Sequence, residues 1–180
     1  MNPNRTLLRR IHGWDLDQFQ KVSQITLNQR FWLLAARQVS RTADGWGYLV
    51  VPCALLIAGV EEAAQFFRLL VTALLIERLI YFAAKNGFKR KRPANIVPGY
   101  HSHIIPSDEF SFPSGHTSAA FLFVTLTVLI WGPLMLFMYL WSSGVAASRV
   151  ILGVHFPTDT LMGACLGTGT AILICQAGGL

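Results

Sequence analysis

Two histidines near the middle of the chain have sequence neighbours that favour nucleophilic and acid–base chemistry. His116 ends the tetrapeptide "PSGH" at the start of an apolar run, and His155 precedes Asp159 by four residues. Pro157 between them suits the first turn of a new helix, so the carboxylate can reach back and orient the imidazole. A histidine held at Nδ1–H by a carboxylate presents a basic Nε2. We therefore expect His155 to attack a substrate and His116 to protonate the departing oxygen.

Cationic side chains and a helix start accompany these histidines. A phosphate ester carries two negative charges, so catalysis of its transfer depends mostly on positioning and charge stabilisation. Arg92 and Arg149 offer planar bidentate donors, and Lys85 offers a compact charge. Ser114 and Gly115 would lie at a helix N-terminus, where backbone N–H groups favour an anion and glycine permits close approach. The set predicts phosphoryl transfer with no metal and no other cofactor.

Each of these features also has a purely structural interpretation. A basic run such as "KNGFKRKRP" is commonly the solvated flank of a transmembrane helix. Ser114 alone could cap a helix. Arg149 could extend towards the interface, and His155 could be an interfacial histidine with satisfied hydrogen bonds. These interpretations do not predict that the polar residues gather on one face.

The composition indicates a polytopic membrane protein. Of the 180 residues, 53% are hydrophobic and only 13% are charged, and several apolar runs are long. The net charge of +6 is explained by anionic lipid headgroups or a phosphorylated substrate, so nucleic acid is not expected as a partner. The basic start "MNPNRTLLRR" leads into polar sequence and does not resemble a signal peptide.

The predicted fold is an all-α transmembrane bundle with five spans, or six if an unusual one is added. Residues 1–45 are predicted to form an N-terminal interfacial segment, because within 14–40 the apolar positions Leu16, Phe19, Val22 and Ile25 and the run "FWLLAA" lie among polar and basic residues. Residues 46–180 are predicted to form a single transmembrane domain. The predicted spans, some shorter than the roughly 20 residues that cross a bilayer, are 46–60, 67–84, 117–131, 134–152 and 160–180.

Alternating spans would bring the polar residues to one membrane face. The end of the second span, the start of the third, the end of the fourth and the start of the fifth share that face. Within the second span, Glu77 and Arg78 are costly at membrane depth. Arg78 precedes Lys85 by about two helical turns. We expect it to support that lysine or to pair with a neighbouring helix.

The three segments together resemble the signature of the type-2 phosphatidic acid phosphatase family. They are Lys85-x6-Arg92-Pro93, Pro113-Ser114-Gly115-His116 and Ser148-Arg149-x5-His155-x3-Asp159, and all three match without a departure. The resemblance covers residues 85–159. It implies metal-independent dephosphorylation of a lipid through a phosphohistidine, with the roles assigned above. The substrates that it implies are undecaprenyl diphosphate, phosphatidylglycerophosphate, phosphatidate and lipid A.

Other functions on the same fold carry less weight. Vanadium haloperoxidases share the superfold but are soluble. A catalytically silent lipid-binding or transport protein would need neither His116 nor His155. The loop 94–109 is expected to contact the lipid headgroup, with Tyr100, His101 and His103 as candidate selectors.

Two arguments about the orientation in the inner (plasma) membrane disagree. Basic residues in short flanks concentrate on the predicted active-site face, which by the positive-inside rule would be cytoplasmic. Bacterial members of the family that the chain resembles often face the periplasm, and basic residues of a phosphate site need not report topology. We expect a periplasmic site, with the cytoplasmic face as the alternative.

Overall fold

The computed structural model describes residues 3–27 and 29–178. Within those ranges the chain forms α-helices, two short 3-10 helices and no strand, which confirms the all-α prediction. The helices are α1 Pro3–Leu27, α2 Arg30–Arg41, α3 Gly47–Ile57, α4 Ala63–Phe88, α5 Gly115–Trp131, α6 Met138–Ile151 and α7 Pro157–Ala177. The 3-10 helices are Pro93–Asn95 and Pro133–Phe137.

The predicted spans correspond to helices α3 to α7. By length and hydropathy, two stretches of the described chain are suited to crossing a bilayer, Pro133–Ile151 and Pro157–Ala177. Helices α3 and α5 are apolar but shorter. The predicted count of five or six spans therefore stays a prediction.

Helix α5 is the central helix of the bundle and packs against α4, α6 and α7. It is apolar around most of its circumference, as expected of a helix enclosed by others. Two glycines bring α7 close to α5. A Cβ on Gly163 would lie 2.5 Å from the backbone carbonyl oxygen of Ser114, and a Cβ on Gly167 would lie 2.0 Å from that of Ser118. Small residues four apart permit such close helix contacts. This contact places the N-terminal ends of α5 and α7 side by side.

The N-terminal segment, predicted as one interfacial element, consists of α1 and α2, and both pack on the bundle. Phe19 of α1 is almost fully buried. Its ring lies 5.1 Å from that of Tyr100 and 5.6 Å from that of Phe156. Helix α1 thus covers the turn that carries His155.

Candidate active site

A cavity of about 610 Å³ lies where the C-terminal ends of α4 and α6 meet the N-terminal end of α5. Five of the residues predicted for the site line it: Arg92, Gly115, His116, Arg149 and His155. The other three, Lys85, Ser114 and Asp159, are buried and adjoin these lining residues. The structure therefore brings the three sequence segments together.

His155 lies in the turn between α6 and α7 and is 2% exposed. Its Nδ1 is 2.7 Å from the carbonyl oxygen of Ser111. Because a carbonyl can only accept, Nδ1 carries the hydrogen and donates it, which leaves Nε2 with a lone pair. The nearest Asp159 oxygen is 3.8 Å away, too far for a hydrogen bond. The expected direct hydrogen bond from His155 to Asp159 is thus replaced by one to the main chain.

Asp159 has other partners in the first turn of α7. Its Oδ2 accepts from the Phe156 N–H at 2.8 Å, so the carboxylate caps the helix. Its Oδ1 accepts from Arg90 at 2.7 Å. The carboxylate remains close enough to act on His155 by its charge. Burial lowers the pKa of His155 to about 4, against the opposing effect of Asp159. The imidazole is therefore neutral at physiological pH.

His116 lies in the first turn of α5 and contacts a carboxylate that sequence reasoning missed. Its Nε2 is 2.9 Å from Oδ1 of Asp44, which lies in the loop between α2 and α3. A hydrogen bond of this kind fixes the orientation of the ring. Asp44 is 72 residues away in sequence and has no motif around it, so nothing in the sequence indicated the contact.

Two arginines of the predicted site, Arg92 and Arg149, bring positive charge to the cavity. Arg92 donates from Nη1 to the Val154 carbonyl at 2.6 Å, beside His155, and from Nε to the Asp108 carbonyl at 3.0 Å. Arg149 donates from Nη1 to the Ser40 hydroxyl at 2.7 Å. Its Nε is buried and has no acceptor within the described part of the chain. Arg149 lines the cavity, and of its guanidinium nitrogens only Nη1 has a hydrogen-bond acceptor among the described residues.

Asp108 is an acidic residue that the sequence analysis did not assign to the site. Its carboxylate accepts from Lys85 at 2.7 Å, from the Tyr81 hydroxyl at 2.6 Å and from Arg92. Burial alone would raise the pKa of Asp108, but the hydrogen bonds from Lys85 and Tyr81 and the charge of Arg92 outweigh it and lower the pKa to about 2. The carboxylate thus neutralises two cations that were predicted to bind phosphate.

Gly115 and Ser114 contribute to the site differently from the prediction. A Cβ on Gly115 would lie 2.9 Å from the Tyr81 ring and 3.2 Å from Nη1 of Arg78. These neighbouring side chains favour glycine here even without a bound phosphate. The Ser114 hydroxyl lies 3.0 Å from that of Thr117 and is fully buried. The Ser114 N–H donates to the Asp159 carbonyl at 3.0 Å, so the N–H groups that lack acceptors within the helix are those further along the first turn of α5.

Arg78 lines the cavity and lies about two helical turns before Lys85 on α4. It pairs with the adjacent, fully buried Glu77 at 2.6 Å and stacks over the Tyr81 ring at 4.2 Å. Arg78 also donates to the Gly115 carbonyl at 3.4 Å. Its acidic partner is thus on its own helix, and Arg78 joins α4 to the start of α5.

The predicted headgroup selectors lie outside this cavity. Tyr100 packs on Phe19, and its hydroxyl lies against Gly153, where a Cβ would be 1.9 Å away. The backbone N–H of His103 donates to the Leu152 carbonyl at 3.0 Å. His103 lines a neighbouring cavity of about 430 Å³. The loop is therefore attached to the turn that precedes His155.

Among residues 3–27 and 29–178, no group of three or more His, Cys, Asp or Glu side chains is arranged to hold a metal ion. The charged side chains that line the cavity are mainly cationic. Of the two acids among them, Asp44 pairs with His116, and Asp108 pairs with Lys85 and Arg92. Such a donor set suits a bound anion better than a bound cation.

Comparison with known proteins shows similarity to phosphatases. A model of the PAP2 superfamily matches residues 66–179. The chain is 32% identical over 111 residues to the decaprenylphosphoryl-5-phosphoribose phosphatase of Mycobacterium tuberculosis, covering 59% of this chain and 54% of that protein. It is 30% identical over 141 residues to the undecaprenyl-diphosphatase of Sulfolobus acidocaldarius, covering 73% of this chain and 65% of that protein. The chain thus spans between half and two thirds of these relatives.

Two solved structures share the fold. LpxE of Aquifex aeolicus superposes with a TM-score of 0.76 at 24% identity, covering 89% of this chain and 94% of that chain. A transmembrane PAP2 type phosphatidylglycerolphosphate phosphatase from Bacillus subtilis superposes with a TM-score of 0.72 at 20% identity, covering 94% of this chain and 86% of that chain.

Proposed function

The chain belongs to the PAP2 superfamily, and we propose that it is a membrane lipid phosphatase that works through a phosphohistidine intermediate. The observation that carries the proposal is the meeting of His155, His116 and two arginines, Arg92 and Arg149, around one cavity. A neutral histidine, a second histidine and an anion site are the groups that this reaction requires.

In the first step, Nε2 of His155 attacks the phosphorus and the bond from phosphorus to the leaving oxygen breaks. His116 gives its proton to that oxygen, which leaves as an alcohol, or as a lipid phosphate if the substrate is a diphosphate. The Nδ1–H bond to the Ser111 carbonyl holds the ring in the reactive tautomer. The charge of Asp159, 3.8 Å away, stabilises the positive charge that develops on the imidazole.

The cations stabilise the phosphoryl group while it is transferred. Arg149, which lines the cavity, provides guanidinium donors to it. Lys85 and Arg92 provide others once the incoming phosphate competes with Asp108 for them. A dianionic phosphate carries more charge than one carboxylate, so it gains more from these cations.

In the second step, a water molecule attacks the phosphohistidine. His116, now neutral, takes a proton from that water, and the bond between phosphorus and Nε2 breaks. Inorganic phosphate leaves, and the neutral imidazole of His155 is restored. The same pair of histidines thus serves both steps in opposite senses.

The walls of the cavity support a lipid as substrate. Beside the charged groups it is lined by Tyr48, Leu49, Leu74, Phe82 and Ala119. Leu49 and Phe82 line the cavity and are 52% and 55% exposed on α3 and α4, so we propose the side of the cavity formed by these residues as its apolar opening. A phosphate in the polar end with its apolar chain in this opening fits undecaprenyl diphosphate, phosphatidylglycerophosphate, phosphatidate or lipid A.

We place the protein in the inner (plasma) membrane with the site on the periplasmic face. Part of the basic run is engaged in ion pairs around the site, because Lys85, Arg90 and Arg92 are all paired to carboxylates. Such residues carry less weight in a charge count of topology. Ile105 is 96% exposed in the loop 94–109. Labelling of Ile105→Cys by an impermeant reagent in intact cells, in a cysteine-free background, tests this; protection would reverse the assignment.

The phosphatase proposal is tested by phosphate release from the four candidate lipids in detergent micelles. We expect release from at least one of them, unaffected by EDTA because the cavity is cationic, and blocked by vanadate. His155→Ala is the control for contaminating phosphatases. Lipid binding without phosphate release would support a silent binding or transport protein instead. Activity that disappears with EDTA and returns with magnesium would contradict the proposed chemistry.

A further inference from the structure

A buried ion-pair network joins the N-terminal helix to the proposed nucleophile. Asp15 of α1 is fully buried and accepts from Nη2 of Arg90 at 2.6 Å. Nη1 of the same guanidinium donates to Oδ1 of Asp159 at 2.7 Å. One arginine therefore bridges two buried carboxylates, and the second of them is the neighbour of His155.

Thr158 closes this network at the first turn of α7. Its backbone N–H donates to Oδ1 of Asp15 at 3.0 Å, and its hydroxyl donates to Oδ2 at 2.5 Å. Nη1 of Arg90 also donates to the Thr158 hydroxyl at 2.7 Å. Both oxygens of Asp15 are thus hydrogen-bonded. Asp15 therefore fixes two groups, the Arg90 guanidinium and the start of α7.

The guanidinium has little freedom to move. The side chain of Arg90 is 20% exposed, and its centre lies 4.6 Å from the centroid of the Phe156 ring. A flat, forked group held on both ends and stacked on one face has its orientation set. Because Asp159 and Phe156 both flank His155, the position of Arg90 determines where the Asp159 carboxylate lies relative to the imidazole.

Anchoring α1 would not by itself require such charges. Phe19 and its aromatic neighbours already attach α1 to the bundle through apolar contact. A buried carboxylate is costly unless it is paired and hydrogen-bonded, and replacing such pairs by apolar residues often costs nothing in stability. The hydrogen bonds of Asp15 go to Arg90 and to Thr158 in the first turn of α7.

We infer that Asp15 and Arg90 are positioning residues for Asp159 and His155, so that helix α1 forms part of the reaction centre. The inference rests on the proposed function. Arg90 occupies one of the unspecified positions between Lys85 and Arg92 in the sequence signature, and α1 lies outside the residues 66–179 that the superfamily model matches. Neither Asp15 nor Arg90 lines the catalytic cavity. Their loss should therefore slow the attack by His155 without weakening the binding of the lipid.

The test compares Asp15→Asn and Arg90→Lys with the wild-type protein on a lipid phosphate that the wild type hydrolyses. Asparagine keeps the shape but removes the charge that holds Arg90. Lysine keeps the charge, but its single nitrogen cannot bridge both carboxylates as the fork does. We expect kcat to fall by about 10- to 100-fold, the usual effect of supporting contacts around a site, with KM unchanged.

The double variant Asp15→Asn/Arg90→Lys separates a shared role from two independent ones. If Asp15 acts through Arg90, the double variant is no slower than Arg90→Lys alone, whereas independent effects multiply. Rate constants for phosphohistidine formation, taken from the exponential phase of a rapid-quench experiment, do not depend on the fraction of folded enzyme. A variant that folds poorly is therefore still informative.

Two surface variants serve as matched controls. Asp17→Asn removes an acid from the same helix, where it is exposed and pairs with Lys21 at 2.7 Å. Lys91→Gln removes an exposed cation directly after Arg90. Both should retain wild-type kcat. If the wild type is active and the Asp15→Asn and Arg90→Lys variants keep full kcat, or change only in KM, the inference is wrong and the proposed function still stands. A wild type inactive on every candidate lipid would overturn the proposed function and this inference with it.

Discussion

Nδ1 of His155 lies 2.7 Å from the carbonyl oxygen of Ser111, whereas the nearest oxygen of Asp159 lies 3.8 Å from it. The tautomer of the nucleophile is therefore set by the main chain just before the "PSGH" segment. Asp159 acts by its charge and by capping α7. Loss of its charge should leave the reactive tautomer in place.

Asp159→Asn should consequently retain measurable activity. We expect kcat to fall by about 10- to 100-fold, as for removal of a supporting contact. His155→Gln should show no turnover. The measurement is the rate of phosphohistidine formation in each variant. A loss in Asp159→Asn as complete as that in His155→Gln would show that the carboxylate, and not Ser111, controls the imidazole.

The protonation of His155 gives a pH prediction with a definite sign. Burial lowers the pKa of this imidazole to about 4, and the protonated ring has no lone pair at Nε2. Reactivity should thus be present at neutral pH and be lost only as the pH falls through about 4, not through the ordinary value near 6.5. Titration of ¹⁵N-histidine signals by NMR, assigned with His155→Gln, measures this directly. A midpoint at pH 6 or above would contradict the burial argument.

The helix contact that aligns the two histidines depends on glycine. Gly167→Ala would force a methyl group to within 2.0 Å of the Ser118 oxygen, and overpacking of this kind costs about 1–3 kcal/mol. We expect lower thermal stability and lower kcat together, because α5 carries His116. Gly169→Ala is the matched control: nothing lies within 4 Å of its Cβ, so it should be neutral or stabilising by about 0.5–1 kcal/mol. Equal effects of both substitutions would exclude the packing explanation.

Asp108 should compete with phosphate for Lys85 and Arg92. Its pKa of about 2 keeps it ionised throughout the working pH range. Asp108→Asn should therefore tighten inhibition by vanadate, by roughly two- to fivefold for partly exposed pairs worth about 0.5–1 kcal/mol. The gain should be the same at pH 5 and pH 8. Glu109→Gln, at the exposed neighbouring position, should change nothing. Weaker inhibition of Asp108→Asn would mean that Asp108 organises the cations instead of competing for them.

The sequence contained enough to bring His155, His116 and Arg149 together, because alternating helices force their polar ends onto one side. It could not reveal Asp44 or Asp108, because each is an acid in a loop with no motif around it and lies far in sequence from its partners. Asp15 was hidden for a different reason. An acid on an amphipathic helix normally faces water, and only the folded chain shows that this one faces Arg90.

Pro157 predicted that Asp159, in the first turn of a new helix, would reach back to His155. The structure places His155 in the turn before α7, but the Asp159 carboxylate caps the helix at the Phe156 N–H. The backbone carbonyl of Ser111 then lies nearer than the carboxylate. A main-chain acceptor in an irregular segment does not depend on the residue type, so only the folded structure shows that Ser111 is this partner.

The assignment of separate roles to the two histidines is tested most directly with an activated aryl phosphate. An aryl oxide of low pKa leaves without protonation, so this substrate needs the nucleophile but not the acid. His116→Ala should release the aryl group in a first burst and then stall, because no group activates water in the second step. A general acid–base group is worth about 10²–10⁴-fold, so both phases are measurable.

The decisive measurement is rapid-quench kinetics with the acid-labile, base-stable phosphate on the protein counted in parallel. The account predicts trapped phosphohistidine in His116→Ala and none in His155→Ala, which should fail on lipid and aryl phosphates alike. Equal loss of activity in both variants on both substrates, with no trapped phosphoenzyme, would contradict it.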